Sequence, residues 1–123
     1  MAPSVQPPTN EVFVKQNGDQ EMMYVSRHVW EVHQGREGDF IGVCGRASEI
    51  HKRLGATNSA LVDHNTGPGH LMTYVLHFEN GAGYGTFVDA LTSDTEWITL
   101  GQEFVADPPA RLISSDTGLN LFS

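Results

Sequence analysis

Twice in this chain a strand-like run passes through glycines into an amphipathic helical pattern, and this repeat limits the fold more than any other feature. The first run spans 22–33, reaches Gly35 and Gly38, and leads into a helical pattern over 39–54. The second spans 71–78, reaches Gly81, Gly83 and Gly85, and leads into a helical pattern starting near residue 84. Between the two units, the runs 59–65 and 71–78 flank Gly67, Pro68 and Gly69, a hairpin signal. After the second unit, 111–115 and 119–122 read as a last strand with a break near Gly118. The order is β-α-β-β-α-β. Such a chain folds as a ferredoxin-like α+β domain, an antiparallel sheet in the order 4-1-3-2 with the helices on one face. The other face then needs a cover. Two such sheets facing each other across a two-fold axis close a dimeric α+β barrel with a pocket in each half.

The helical patterns carry their own start and stop signals. Asp39 is placed to cap the first helix, and Phe40, Val43, Cys44, Ala47, Ile50 and Leu54 repeat at helical spacing. Gly55 can close it. Gly42 and Gly45 weaken its interior by roughly 1 kcal/mol each, a cost that close helix–sheet packing can offset. In the second region Ser93, Asp94, Thr95 and Glu96 form a capping-box signal, so a further helix begins there. Trp97, Ile98, Gly101 and Phe104 are its expected inner stripe, and Pro108 with Pro109 ends it. Glycines 81, 83 and 85 superficially suggest a phosphate loop, but Thr86 stands where the dinucleotide pattern needs its third glycine. They read instead as a flexible turn or lid over a barrel mouth.

A length of 123 residues suits one domain, expected over 22–123. Residues 1–21, with Pro3, Pro7 and Pro8, read as a flexible tail, with a short strand allowed at 11–15 before Asn17 and Gly18. The formal charge of -8, from 15 acids and 7 bases, argues against nucleic acid as a partner. No apolar run approaches the roughly 18 residues that span a bilayer, and the opening residues lack the charge and apolar core of a signal peptide. With Cys44 as the one cysteine, the expectation is a cytoplasmic protein without an internal disulfide.

On the first strand one face collects Tyr24, Ser26, His28, Trp30 and Val32, and the other Val25, Arg27, Val29, Glu31 and His33. The 4-1-3-2 order sets His28 and Trp30 beside Thr73 and Tyr74, with His64 and His70 near the hairpin. If these groups share the open face, they supply an imidazole base, a phenol donor and an indole wall. His28, His64 and Tyr74 are therefore the candidate catalytic residues, and Trp30, Arg27 and His70 the candidate substrate contacts. An imidazole titrating near neutrality can drive enolisation, dehydration, cyclisation, or activation of an electron-rich phenol toward oxygen. The alternatives are a hydrogen-bonded core role for His28, an exposed hairpin role for His64, core packing for Trp30 and Tyr74, and a solvated Arg27–Glu31 pair. No CxxC, HxH or HExxH occurs, so no metal site is expected. Cys44, on the apolar stripe, reads as a buried, inert thiol.

The run Tyr24–x–x–Arg27, followed by Gly35, Arg36 and Phe40, resembles the opening of NIPSNAP-type domains. Phe87–x–x–Ala90–Leu91, with Asp94, Trp97 and Phe104, resembles their second helical region, and the likeness extends over about residues 22–122. Gln34–Gly35 stands where the family usually carries Pro-Gly. These domains belong to the dimeric α+β barrel superfamily of small cofactor-free monooxygenases, polyketide cyclases and heme-degrading enzymes. The resemblance implies a homodimer acting without a cofactor on a hydrophobic, aromatic or polyketide-like small molecule in secondary metabolism. It leaves two alternatives, a non-enzymatic ligand-binding module and a heme-binding member. For heme, the helix histidine expected of the heme-degrading members is not found at their spacing.

Overall fold

The computed structural model describes residues 22–122. The tail at 1–21 and the strand allowed at 11–15 lie outside the described residues. The elements are β1 (Tyr24–Val32), α1 (Glu37–Arg53), β2 (Asn58–Asp63), β3 (Leu71–Phe78), α2 (Gly81–Leu91), α3 (Thr95–Ala106) and β4 (Ala110–Leu119). The strands form one antiparallel sheet in the order β2-β3-β1-β4, which is the expected ferredoxin-like arrangement. The second helical region is two helices, with the break where the capping signal at 93–96 placed it. Among the described residues, no helix is long and apolar enough to cross a membrane.

Alternation along β3 defines the two sheet faces. Met72, Tyr74, Leu76 and Phe78 are buried, and Leu71, Thr73, Val75 and His77 between them are half-buried. The register sets His28 opposite Tyr74 and Trp30 opposite Met72, so Ser26, His28, Trp30 and Val32 share the helix-covered face. The bare face carries Val25, Arg27, Val29, Thr73, Val75, His77, Ala60 and Val62, a mixture of apolar, polar and charged groups. Strand β4 is exposed along its length beyond Ala110.

Helix α1 buries Phe40, Cys44, Ala47, Ile50 and His51 against the sheet. It starts two residues before Asp39, and no side chain caps it. Asp39 instead pairs with Arg36 at 2.6 Å across the first turn. Gly35, at φ 82, turns the chain from β1 into α1, and the Arg36 amide closes that turn by donating to the His33 carbonyl at 2.9 Å.

The glycine-rich stretch is the first half of α2, not a lid. The Asn80 side chain caps it by accepting from the Gly83 amide at 2.8 Å. A side chain at Gly81 would meet the Tyr24 ring at 3.8 Å, and Tyr24 packs on Tyr84 with centroids 4.9 Å apart. In α3 the cap is Asp94, which accepts from the Trp97 amide at 3.0 Å, while the Ser93 hydroxyl turns back to the Ala90 carbonyl. Along α3, Leu100 is buried, whereas Ile98 of the expected inner stripe is exposed. The last strand is continuous through Gly118, and its irregularity is a bulge at Ile113, where the register with β1 shifts between Val29 and Trp30.

Candidate functional site

Small side chains on several walls leave a space inside this core. Ser26 on β1, Ala47 on α1 and Gly101 on α3 stand where larger residues would fill it, and a cavity of about 340 Å³ results. It lies between the sheet and the three helices, not on the bare face. His28, Trp30 and Tyr74 reach it from the sheet, and His51 from α1. The rings of Phe40, Phe87, Trp97 and Phe104 line the remaining wall together with aliphatic side chains such as Leu76, Leu91 and Leu100. Among the described residues, no Asp, Glu, Lys or Arg side chain lines it.

His51 is the functional candidate that sequence reasoning passed over. It lies within the helical pattern at 39–54, four residues after Ala47, so the periodicity already placed it on the inner face. It is 5% exposed. Its Nδ1 atom is 2.8 Å from the Tyr74 hydroxyl, and the Trp97 and Phe87 rings pack on it at 4.7 and 5.4 Å. With Nδ1 engaged, Nε2 is the ring nitrogen left for the cavity. Burial, with a smaller effect from His28, pushes its pKa down to about 4. Burial also lowers His28, against an opposing pull from Asp116. The Tyr74 phenol is raised, mainly by burial. All three groups are therefore neutral at neutral pH, two imidazoles and one phenol in an apolar chamber.

This arrangement has a consequence for stability. His51 binds a proton more weakly in the folded chain than in the unfolded one, where its pKa is near 6.5. Stability is thus full above about pH 6.5 and falls as the pH drops toward about 4, by about 3 kcal/mol for a difference of this size. Thermal melts from pH 7 to pH 4 are expected to show that fall. His51→Gln is expected to flatten the curve, and an equal slope in that variant would remove His51 as its cause.

The other candidates from the sequence are not brought to the cavity. Arg27 sits on the bare face, where its guanidinium grips both Asp116 oxygens at 2.9 and 2.8 Å. Glu31 pairs with Arg111 rather than with Arg27. His64 lies one residue past β2, because the hairpin register pairs Asp63, not His64, with Met72. Its Nε2 atom reaches Thr73 Oγ1 at 2.7 Å, on the bare side of the sheet. His70 is held at the hairpin base by Glu37 at 3.2 Å and Asp63 at 3.7 Å. Cys44 is buried, and burial pushes its thiol up to about 12, which leaves it un-ionised. Among the described residues, no group of three or more His, Cys, Asp or Glu side chains could hold a metal ion.

The sheet order, the helix-covered face and the cavity beneath it define a small ferredoxin-like α+β domain. Its neighbours among solved structures fall in the same class. A NIPSNAP family protein of unknown function from Agrobacterium tumefaciens superposes with a TM-score of 0.63 at 13% identity, covering 84% of this chain and 89% of that one. A NIPSNAP-like domain protein from Burkholderia xenovorans gives 0.60 at 13% identity, covering 80% and 84%. SnoaB, a cofactor-independent oxygenase from Streptomyces nogalater, gives 0.56 at 13% identity, covering 80% and 91%. At these identities the likeness establishes the fold. No family model and no curated protein matches the chain.

Proposed function

We propose that this chain is a cofactor-independent enzyme of the monooxygenase, cyclase or dehydratase type, acting on an uncharged, hydrophobic, aromatic or polyketide-like molecule. One observation carries the reading: an apolar cavity without a charged wall presents two neutral imidazoles and a phenol. His28 takes or returns the substrate proton from the sheet side, and His51, oriented by Tyr74, acts from the helix side. Trp30 and Trp97 hold the flat substrate between them. The SnoaB neighbour, described as cofactor-independent, supports the type of chemistry. The exposed Val62 and the half-buried Val25, Val29 and Val75 on the bare sheet face support a homodimer that covers it. The cavity walls do not fit heme, since among the described residues no Lys or Arg faces a porphyrin's propionates.

Both tryptophans of the chain line the cavity, so intrinsic fluorescence reports its occupancy. A polycyclic phenol such as 1-naphthol is expected to quench that emission saturably, whereas its sulfonate is not, because no cation awaits the charge. Turnover of a polycyclic phenol or polyketide-like panel completes the test, and light scattering of the same sample should give twice the chain mass. Absence of saturable quenching would sink the reading.

The second reading is a ligand-binding module without catalysis. One observation favours it: His28 faces the helices, as a packing role would require. The bare face, however, is not the aliphatic surface that reading expects, because Arg27, Glu31, Thr73 and His77 interrupt it. Saturable quenching with no conversion across the panel would favour binding alone.

A further inference from the structure

Resting on the small-molecule reading of the cavity, we infer that Gly101 sets the length of the molecule it accepts. The glycine leaves a gap in the α3 wall, and a fused-ring substrate extends past that gap toward a mouth at Val88 and Val105. Trp97, Leu100, Gly101, Phe104 and Val105 all line the cavity. Their spacing, i, i+3, i+4, i+7 and i+8, makes one continuous face of α3, with Gly101 inside the stripe and not at its margin. The stripe grades from inside to outside. Leu100 is 3% exposed, Gly101 is half-buried and Val105 is 79% exposed. On α2 the lining grades the same way, from buried Phe87 to exposed Val88. The cavity therefore meets solvent at Val88 and Val105, and its closed end lies toward Leu100, Phe87 and the buried His51.

Two ordinary reasons for a glycine do not apply at this position. Its backbone is helical, within α3, and a Cβ built on it meets no atom within 4 Å. Neither a left-handed turn nor a close approach requires glycine here, and inside a helix glycine is less stable than alanine. What it provides is room, and among the described residues Gly101 is the one glycine that lines the cavity. A volume of about 340 Å³ lies at the low end of the range for drug-sized ligands, ~300–1,000 Å³. A flat molecule with its hydroxyl at His28 and His51 fills the closed end. Further rings then pass Gly101, one turn after Trp97 and one turn before Val105. The valines at the mouth present an apolar rim, so the outer end of the molecule is apolar as well. The class that fits is a linear fused-ring phenol, hydroxyl inward and hydrocarbon edge outward.

The dissociation constants of 1-naphthol and of 1-hydroxyanthracene, which adds one ring away from the hydroxyl, test this by tryptophan quenching on the full chain. Gly101→Leu is expected to raise the ratio of the second constant to the first by about 10-fold or more, and Gly101→Ala to raise it by less, because each added carbon overpacks the longer ligand. Both variants should melt at or above the native temperature, since the new side chain displaces nothing in the free protein and a helical glycine is removed. An unchanged ratio in Gly101→Leu, or equal weakening of both phenols, would overturn this role. So would a lower melting temperature in Gly101→Ala, which would make Gly101 a packing residue. Acrylamide, a small neutral quencher, needs no recognised ligand. It reaches Trp30 and Trp97 through the mouth, and Gly101→Leu should reduce its quenching. Reduced acrylamide quenching in a protein that binds neither phenol leaves the gap at Gly101 standing and refutes the small-molecule reading. Saturable binding of both phenols with a ratio indifferent to the substitution does the reverse.

Discussion

Replacing His28 by alanine is expected to lower turnover of a phenolic or enolisable substrate by about 10²–10⁴-fold, the usual contribution of a positioned acid–base group. His28 stands opposite Tyr74 on the central strand pair and lines the cavity. Its fold role is modest by comparison: it is half-buried, and the sheet ladder around it is made by backbone groups. The variant should therefore fold, with a melting temperature close to that of the native chain. A second readout separates chemistry from packing. His28 is one of the two causes that hold His51 low, so His28→Ala should raise the His51 pKa and move the acidic limb of the pH–rate profile upward. Unchanged turnover in the folded variant would remove His28 from the mechanism. Lost turnover with an unmoved limb would leave its pairing with His51 unsupported.

Truncating Phe78 to alanine is expected to destabilise the fold by about 3–5 kcal/mol, in the range of buried Phe→Ala changes. Phe78 is fully buried at the end of β3. Its ring packs on Phe87 with centroids 4.8 Å apart and on Tyr84 at 5.2 Å, so it fastens α2 to the sheet. The three glycines at 81, 83 and 85 give α2 little propensity of its own, and packing must supply what propensity does not. Urea melts of the native and variant chains measure the effect. A loss below about 1 kcal/mol would mean that α2 is held by other contacts. Because Phe87 also lines the cavity, the variant should weaken quenching of the tryptophans by 1-naphthol in proportion to the disordering of α2.

Much of the fold is legible in the sequence. The alternation in 71–78 and the hairpin glycines gave β3 and its partner, and the stripe from Phe40 to Leu54 gave α1. The 4-1-3-2 order brought His28 beside Tyr74. The boundaries that moved did so for local reasons. Asn80 supplies a cap that lets glycines enter α2, Asp94 rather than Ser93 accepts the Trp97 amide at the start of α3, and the docking of α3 leaves Ile98 outward and Leu100 inward. The site was legible only in part. His28, Trp30 and Tyr74 share the cavity, but Arg27 faces the opposite side, and His64 and His70 stay at the hairpin.

By itself, the sequence determined the strand order, the inner face of α1 and which residues share each side of a strand, because period and turn chemistry are local properties of the chain. It did not decide which side of the sheet holds the cavity. That depends on where Ser26, Ala47 and Gly101 fall against one another, three small residues far apart in the chain whose missing volume adds up only after the helices dock. The same docking brought His51 to Tyr74 across 23 positions of sequence. A histidine on an apolar helical stripe becomes half of a polar pair only when a phenol from another element reaches it. The tertiary structure alone supplied that phenol, and burial around the pair is what keeps both groups neutral.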